Sequence, residues 1–347
     1  MIMNPKKILK ELDECKNPIF FYDDDADGLC SFLQLYGYKK EGRGICVKTK
    51  PLDNKLIRKI DEYGADKVFI LDVAVVSDDF FDNVKVPIVW IDHHPNKKKN
   101  NIIMYNPLLE NLEATPVSGL TYDIVKNNLW IAVTGMISDW VYPKTLVKKF
   151  RKDFPGLLPS TVRTPEKALF ETDIGKLTKI LNFILKGNNN DVRKRVNVLT
   201  RIKDPLEILN QTTPQGKFIY KKYLELSKEY NSLLNQAISC VKKNDKFIIF
   251  KYRSNQSITS LLSNELLYRF PNKIIIVVRD SQDYFKGSLR SPKKIIINKI
   301  LDKALVNVDG RGGGHDHACG IGIKKESWDL FLEQLRTEVK MENKSKK

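Results

Sequence analysis

The chain has 347 residues, more than one ordinary domain needs, and 42% of them are hydrophobic, which is enough to bury sizeable cores. No run of 18 or more apolar residues occurs, so we expect neither a membrane span nor a membrane partner. The formal net charge of +17 favours a polyanionic partner such as nucleic acid, although a lysine-rich proteome would also give a basic protein without that function.

The cysteines and the N-terminal residues indicate the cellular compartment. Five cysteines stand singly, without a C-x-x-C pair, which argues against a disulfide framework or a cysteine zinc site. Reduced thiols of this kind predict a cytoplasmic protein. Residues 1–18 predict a short amphipathic helix and lack the apolar core and cleavage site of a signal peptide.

The first part of the chain alternates strand and helix patterns. The β-rich and helical runs lie at 17–22, 28–38, 54–64, 66–73 and 86–92. Thr115 suits the N-cap of a further helix, with Pro116 at its first position. This alternation predicts a parallel sheet covered by helices, with the functional loops at the carboxyl ends of the strands.

The second half of the chain predicts two different regions. Residues 146–240 are rich in Lys, Leu and Asn at helical spacing, which predicts a helical connector. Residues 241–342 contain three strand patterns and two helix patterns, and residues 343–347 predict a disordered tail. We therefore predict an α/β fold, with an N-terminal parallel-sheet domain at 1–145, the connector, and a smaller C-terminal mixed α/β domain.

Four carboxylates lie within five residues, at Asp23, Asp24, Asp25 and Asp27, directly after an apolar run. Carboxylates this close raise one another's pKa values, and a multivalent cation removes that cost. Hard cations such as Mg²⁺ and Mn²⁺ prefer oxygen ligands. On its own, the run is explained equally well by a solvated acidic turn.

Later motifs repeat this pattern of polar residues at the end of apolar runs. Asp72 follows one β-rich run, and His93 and His94 follow Asp92 at the end of the next. Asp72 alone could cap a helix, and Asp139, four residues after a glycine, is a weak signal by itself. The combined set has one imidazole among its oxygen ligands, which suits two Mn²⁺ or Mg²⁺ ions better than a structural zinc. Its members are Asp25, Asp27, Asp72, His93 and Asp139.

The order of these motifs resembles the DHH phosphoesterase superfamily, which includes RecJ-type exonucleases, nanoRNases, cyclic-dinucleotide phosphodiesterases and family II pyrophosphatases. The resemblance also extends to the C-terminal part. There, GRGGGHDHACG at 310–320 and KGSLRS at 286–291 look like the signatures of the DHH-associated domain. The resemblance covers about 20–140 and 245–340.

The resemblance implies a role in metal binding for each acidic position. Asp72 would bridge two ions, and Asp25 would serve the first of them. The second ion would be held by Asp27, His93 and Asp139. Several branches of the family carry a histidine where this chain has Phe21, and Asp23 would partly replace it at the first ion.

The resemblance further implies which residues contact the substrate. His94 would contact the scissile phosphate or its leaving group, so that Asp72, His93 and His94 would be the catalytic residues. Three consecutive glycines at 312–314 could present N–H groups to an anion, although a lone glycine run is usually a flexible turn. The predicted substrate-binding residues are Ser288, Arg290, Arg311, Gly313, Gly314 and His315. We expect His317 to be structural.

Three functions fit these patterns. The first is a Mn²⁺- or Mg²⁺-dependent phosphodiesterase that hydrolyses single-stranded DNA, RNA or short oligonucleotides from one end, as a RecJ-like exonuclease or an oligoribonuclease. The second is a small-molecule phosphatase or dinucleotide hydrolase acting on phosphoadenosine phosphate or on cyclic or linear dinucleotides. The third is an inactive scaffold that binds nucleic acid. A replication or repair protein is a further candidate partner in each case.

Overall fold

A computed structural model describes residues 4–345 of the protein. The chain divides into two compact units, Met1–Leu224 and Glu225–Lys347, and each is described separately. Within the described residues, no helix combines the length and the apolar character needed to cross a membrane.

The first unit is built on a five-stranded sheet whose strands are all parallel and run in the order β2-β1-β3-β4-β5. The strands are β1 (Pro18–Asp23), β2 (Arg43–Val47), β3 (Lys67–Leu71), β4 (Ile88–Ile91) and β5 (Ile103–Tyr105). The three central strands are buried at every position, because apolar residues cover both faces of the sheet. Phe20 and Tyr22 pack into one core, and Ile19 and Phe21 into the other.

Helices cover this sheet and continue through the region predicted as a connector. They are α1 (Pro5–Glu14), α2 (Ala26–Lys39), α3 (Ile57–Tyr63), α4 (Asp78–Asn83), α5 (Val117–Val125), α6 (Leu129–Ser138), α7 (Lys144–Asp153), α8 (Pro165–Glu171), α9 (Asp173–Ile184), α10 (Asn189–Leu199), α11 (Pro205–Leu209) and α12 (Pro214–Ser239). Phe150, Ile180 and Leu199 share a buried core with Phe20 and Leu71 of the sheet. Helices α7 to α11 therefore belong to the first unit, and α12 crosses the boundary between the units.

The strand order identifies the edge of the sheet at which a binding crevice is expected. From β1 the chain goes to β2 on one side and then returns to β3 on the other. The carboxyl ends of β1 and β3 therefore flank a topological switch point, where open parallel sheets form their binding crevice. β1 ends at Asp23, Asp72 follows β3, and Asp92 follows β4.

The second unit contains a mixed five-stranded sheet in the order β6-β7-β8-β10-β9. Only β6 and β7 are parallel, and the other neighbours are antiparallel. Its elements are β6 (Phe247–Tyr252), α13 (Thr259–Arg269), β7 (Ile274–Ser281), β8 (Tyr284–Arg290), α14 (Ile297–Ala304), β9 (Gly310–His315), β10 (Ala318–Lys324) and α15 (Trp328–Ser345). The predicted α/β class, with a parallel sheet followed by a mixed one, is confirmed. The backbone of α15 covers the start of the tail predicted at 343–347, whose last two residues lie outside the described part.

Candidate functional site

The acidic run of the first unit forms the turn from β1 into α2. Asp23 is the last residue of the strand, and Asp25 is the N-cap of the helix, where its carboxylate accepts a hydrogen bond of 2.9 Å from the Gly28 N–H. A side chain at Gly28 would lie 2.7 Å from the Asp23 backbone nitrogen. Glycine therefore allows the helix to begin close to the strand end, and this brings the carboxylates together.

Asp27, in the first turn of α2, is buried and holds the start of a second helix. Its carboxylate accepts hydrogen bonds from the Val117 N–H at 2.7 Å, from the Ser118 N–H at 3.1 Å and from the Ser118 hydroxyl. The predicted cap of this helix was wrong: Pro116 is the N-cap, without a side-chain cap, because Asp27 satisfies these N–H groups instead of Thr115. Burial outweighs these hydrogen bonds and raises the pKa of Asp27 to about 6.

Asp72 lies between the ends of β3 and β4 in a strained conformation. Its φ of 62° is in the left-handed region, which costs a non-glycine residue about 1–3 kcal/mol, and its N–H donates to the Ile91 carbonyl at 3.0 Å. The side chain is buried, and its Oδ1 atom accepts no hydrogen bond within the described part of the chain. Burial, followed by the charges of Asp25 and Asp27, raises the pKa of Asp72 well above its ordinary value.

The residues of the Asp-His-His sequence after β4 have different roles, and Asp92 positions His94. Asp92 is fully buried, and its carboxylate accepts hydrogen bonds from His94 Nδ1 at 2.8 Å, from the His94 N–H at 3.3 Å and from the Asn96 amide. Asn106 Nδ2 donates to the His94 carbonyl at 2.8 Å. Although burial lowers it, the pKa of His94 is raised overall by Asp92. Asp92 thus fixes both the position and the charge of this ring.

His93 lies between two of the predicted ligands. Its Nε2 atom is 3.3 Å from Asp72 Oδ1, and its Nδ1 atom is 3.6 Å from Asp139 Oδ2. Burial, and then the neighbouring His94, lowers the pKa of His93 to about 4, so the ring is neutral at physiological pH and in the form that binds metals. Asp139 is the C-cap of α6, and its side chain remains 38% exposed. Partial burial, with the charges of Asp27 and Asp25, raises its pKa.

These side chains form overlapping groups in which the potential ligand atoms lie within 4.8 Å of one another. We call Asp23, Asp25 and Asp72 the first lobe, and Asp27, His93 and Asp139 the second lobe. Asp72 also forms a third group with His93 and His94, and it thereby connects the two lobes. The structure therefore brings together all seven predicted residues of the first unit.

The donor set fits a divalent cation. Asp23 Oδ1 and Asp72 Oδ1 are buried carboxylate oxygens that accept no hydrogen bond from the described residues. Such oxygens are costly unless a cation or a proton compensates them. Carboxylate oxygens are the ligands that suit Mn²⁺ and Mg²⁺, and the neutral His93 ring adds one nitrogen ligand to them.

Sequence reasoning missed two lysines beside the acidic run. Lys50 Nζ lies 2.7 Å from Asp23 Oδ2, and Lys186 Nζ lies 3.2 Å from Asp24 Oδ2. The Asp24 carboxylate therefore holds the loop after α9 through Lys186. Burial lowers the pKa of Lys50, but Asp23, and then Asp25 and Asp72, raise it overall. No sequence signal identifies these two lysines among the 59 basic residues.

In the second unit, five of the six predicted substrate residues lie on one face of the mixed sheet, whereas Gly314 pairs with Cys319 and belongs to the other face. In the register, Ala318 of β10 pairs with Arg290 on one side and with His315 on the other. Gly320 likewise lies between Ser288 and Gly313, and Gly322 between Lys286 and Arg311. Directly opposite residues share a face, so small residues form the middle of this face, with basic and polar residues on both sides. We call it the small-residue face, and Lys286 is its member that the sequence did not single out.

Two of these residues already have internal partners. The Ser288 hydroxyl is buried and lies 3.2 Å from Thr259 Oγ1 and 3.1 Å from Ser260 Oγ. The Arg290 guanidinium donates to Asn264 Oδ1 at 2.6 Å and to two backbone carbonyls. The other four, Arg311, Gly313, Gly314 and His315, lie on the exposed edge strand β9.

The glycine run at 312–314 and His317 both lie in or beside the β9–β10 hairpin. The glycine run forms part of a regular strand, and Gly314 has a φ of 147° that side chains rarely adopt. His317, expected to be structural, places its Nδ1 atom 2.9 Å from the Ile295 carbonyl. Since a carbonyl only accepts, Nδ1 donates in this hydrogen bond, which ties the end of the β9–β10 hairpin to the start of α14.

Comparisons with known proteins identify a domain family for the C-terminal part of the chain and a shared fold for nearly all of it. The DHHA1 domain family matches residues 244–341. A comparison of the sequence with curated proteins gave no match. Among solved structures, RecJ from Thermus thermophilus in complex with Mn²⁺ is 17% identical with a TM-score of 0.72, and the match covers 96% of this chain and 53% of RecJ. The chain thus spans about half the length of that protein, which has also been solved with Mg²⁺.

Two other solved structures match over nearly their full length. The pGpG-specific phosphodiesterase PggH from Vibrio cholerae is 15% identical with a TM-score of 0.51, and the match covers 94% of this chain and 100% of PggH. CDC45 from Entamoeba histolytica is 12% identical with a TM-score of 0.55, with 96% of this chain and 98% of CDC45 covered. Residues 244–341 therefore match the DHHA1 domain family, and the chain shares its fold with these solved structures.

Proposed function

We propose that the protein is a divalent-metal-dependent phosphodiesterase that hydrolyses single-stranded nucleic acid from one end. One observation carries this proposal: two groups of ligand atoms meet at Asp72, which stands at the switch point of a parallel sheet. The shared fold of the exonuclease RecJ and the pGpG-specific phosphodiesterase PggH supports a phosphoesterase, and the Mn²⁺ and Mg²⁺ complexes of RecJ support the choice of ion.

The residues of the first unit would hold the metal and prepare the substrate. The second lobe, together with Asp72, would bind a divalent ion. When bound, the metal would supply a nucleophilic water at neutral pH and compensate the charge of the phosphate. Asp27 would keep the second lobe in place through its hydrogen bonds to the start of α5.

His94 is the residue that we propose contacts the phosphodiester. Its Nδ1 atom is hydrogen-bonded to the Asp92 carboxylate, which fixes the ring and favours its protonated form. Nε2 would then donate to an oxygen of the scissile phosphate or to the leaving group. General acid assistance from a positioned histidine contributes about 10²–10⁴-fold to such reactions.

The second unit would hold one end of the substrate. Its small-residue face leaves room for a phosphate or a sugar, since nothing lies within 4 Å of a side chain added at Gly313 or Gly320. Arg311 and His315, on the exposed strand β9, would contact the phosphates, and Arg290 and Ser288 would shape the face. The net charge of +17 favours polymeric substrates over dinucleotides.

The test is an end-labelled panel of DNA and RNA between 2 and about 20 nucleotides long, with Mn²⁺ and Mg²⁺ compared against a chelator. We expect metal-dependent release of mononucleotides from the longest single strands, and Asp72→Asn should abolish it. Metal-independent hydrolysis, or unchanged activity of the Asp72→Asn variant, would overturn the proposal.

A second candidate is a dinucleotide hydrolase, and one observation favours it. The match to PggH covers all of that pGpG-specific enzyme, whereas the match to RecJ covers only 53% of its chain. Turnover limited to the shortest members of the panel, or to phosphoadenosine phosphate, would select this function. Binding of the 20-mer without any hydrolysis would select the inactive scaffold instead. The cytoplasmic location and a replication or repair partner remain predictions.

A further inference from the structure

The first lobe contains a cation from the chain itself. Lys50 lies three residues beyond β2, which is the neighbour of β1 in the sheet, so the carboxyl end of β2 brings it to the acidic turn. Its Nζ atom is 2.7 Å from Asp23 Oδ2, and the Asp23 side chain is only 11% exposed. The Lys50 side chain is 45% exposed, but the carboxylate that it contacts is buried. A charge-assisted hydrogen bond of this kind is roughly twice as strong as a neutral one.

The first lobe also has few other ligands to offer a metal. Phe21, two residues before Asp23 on the same strand, is fully buried and packs edge-on against Phe80, so this position supplies no ligand atom. The lobe therefore consists of three carboxylates, and one oxygen of Asp23 is already used by Lys50. A divalent ion that used this oxygen would have to displace the ammonium group.

The second lobe is arranged differently. The Asp139 carboxylate lies beside the neutral His93 ring, and Asp27 accepts its hydrogen bonds from α5. Neither contact brings a lysine or an arginine to the ligand atoms. A metal that binds there would gain an imidazole and two carboxylates without first removing a positive charge.

We propose that the Lys50 ammonium group is the resident cation of the first lobe, so that the protein holds one divalent ion tightly, in the second lobe with Asp72. Lys50 then takes the place of the second predicted ion. This inference rests on the proposed metal centre and deepens it: the chain uses a lysine where two-ion enzymes use a second metal.

The experiment counts the ions. Wild-type protein and variants are stripped with a chelator, titrated with Mn²⁺ by calorimetry, and then analysed for bound manganese after gel filtration. We expect about one tightly bound Mn²⁺ per wild-type chain and about two in Lys50→Met, which removes the charge but keeps the length of the side chain. Electron paramagnetic resonance of the variant should show the coupling of a Mn²⁺ pair, which the wild type should lack.

Three controls keep the result interpretable. Lys50→Arg retains the charge and should stay at one ion, and Lys55→Met removes a lysine that is 89% exposed and should also stay at one. Lys50→Gln should repeat the gain if the methionine variant does not fold. Two ions in the wild type, one ion in both uncharged variants, or no bound Mn²⁺ at all would overturn the inference. The expected counts without hydrolysis of any phosphoester would support it and overturn only the proposed function.

Discussion

The two units arrange their polar residues in opposite ways. In the first unit the candidate ligands are mostly buried: Asp72 is 2% exposed and Asp27 1%. Their positions depend on strained backbone and on hydrogen bonds from other elements. In the second unit four of the six candidate contacts lie on strand β9, which is exposed along most of its length, whereas Ser288 on β8 is buried.

Under the proposed function, the first unit would carry out the hydrolysis and the second unit would bind the substrate. Buried carboxylates raise one another's pKa values and need a cation, so the stability of the first unit should depend on a bound cation. An exposed face of glycines and basic residues needs no such compensation, and it can adapt to a substrate with little effect on stability. Substitutions should therefore affect catalysis and metal binding in one unit, and substrate affinity in the other.

The largest effect is expected at Asp72. Asp72→Asn should abolish detectable hydrolysis, because it removes the carboxylate that connects the two lobes. The metal-free variant should unfold at the same or a higher temperature than the wild type, since it no longer buries this charge. Activity assays and thermal unfolding of the chelated proteins test both parts. A loss of activity accompanied by a clear fall in stability would indicate a structural role only.

A smaller effect on metal affinity is expected at Ser118, which contacts the predicted ligand Asp27. Ser118→Ala removes the hydroxyl that binds Asp27 but leaves both backbone hydrogen bonds in place. Residues that orient metal ligands typically contribute 10–100-fold in affinity, so Mn²⁺ binding should weaken by about 10-fold. Thr121→Ala, on the same helix, removes a hydroxyl that bonds only to backbone carbonyls and serves as the control. Equal affinities in both variants would show that Asp27 needs no help from Ser118.

The stability of the first unit should depend on pH and metal together. Asp27 binds its proton more tightly when folded, so its contribution is present below about pH 4 and is lost as the pH rises through about 6. His93 acts in the opposite direction between about pH 4 and 6.5, so these two contributions largely cancel. The raised pKa values of Asp72 and Asp139 leave a net loss of stability of the metal-free protein at higher pH.

Mn²⁺ should reverse this loss, because its ligands must be deprotonated. The increase in unfolding temperature on adding Mn²⁺ should therefore be several degrees larger at pH 8 than at pH 5.5. Scanning fluorimetry with Mn²⁺ or chelator at both pH values measures it. An equal increase at both values would mean that the carboxylates are not the groups that bind the ion.

The smallest effects are expected in the second unit, from two adjacent glycines. Gly314→Ala would place a side chain 2.4 Å from the Ala318 carbonyl at a φ of 147°, and should destabilise the unit by about 1–3 kcal/mol. Gly313→Ala meets no atom within 4 Å and should leave the unfolding temperature unchanged. It should nevertheless raise the KM for oligonucleotides several-fold, because the methyl group narrows the small-residue face. An unchanged KM would place the substrate elsewhere.

The sequence predicted the fold class and the central strands well, because long apolar runs have few alternatives to a buried parallel strand. It missed β2 and β5, which are sheet edges: β2 is only partly buried, and β5 has three residues. It also placed the start of α5 at the wrong residue. Local capping preferences favoured Thr115, but the tertiary structure supplied a buried carboxylate from α2.

The sequence by itself determined which residues could form the metal centre. Parallel strands all end at the same edge of a sheet, so carboxylates that follow successive strands must come together there. Only the tertiary structure decided how they are used: the strained backbone of Asp72, the capping role of Asp27 and the ion pairs of Lys50 and Lys186 with the acidic turn. Such contacts join residues far apart in the chain, and no local pattern or periodicity distinguishes them until the chain has folded.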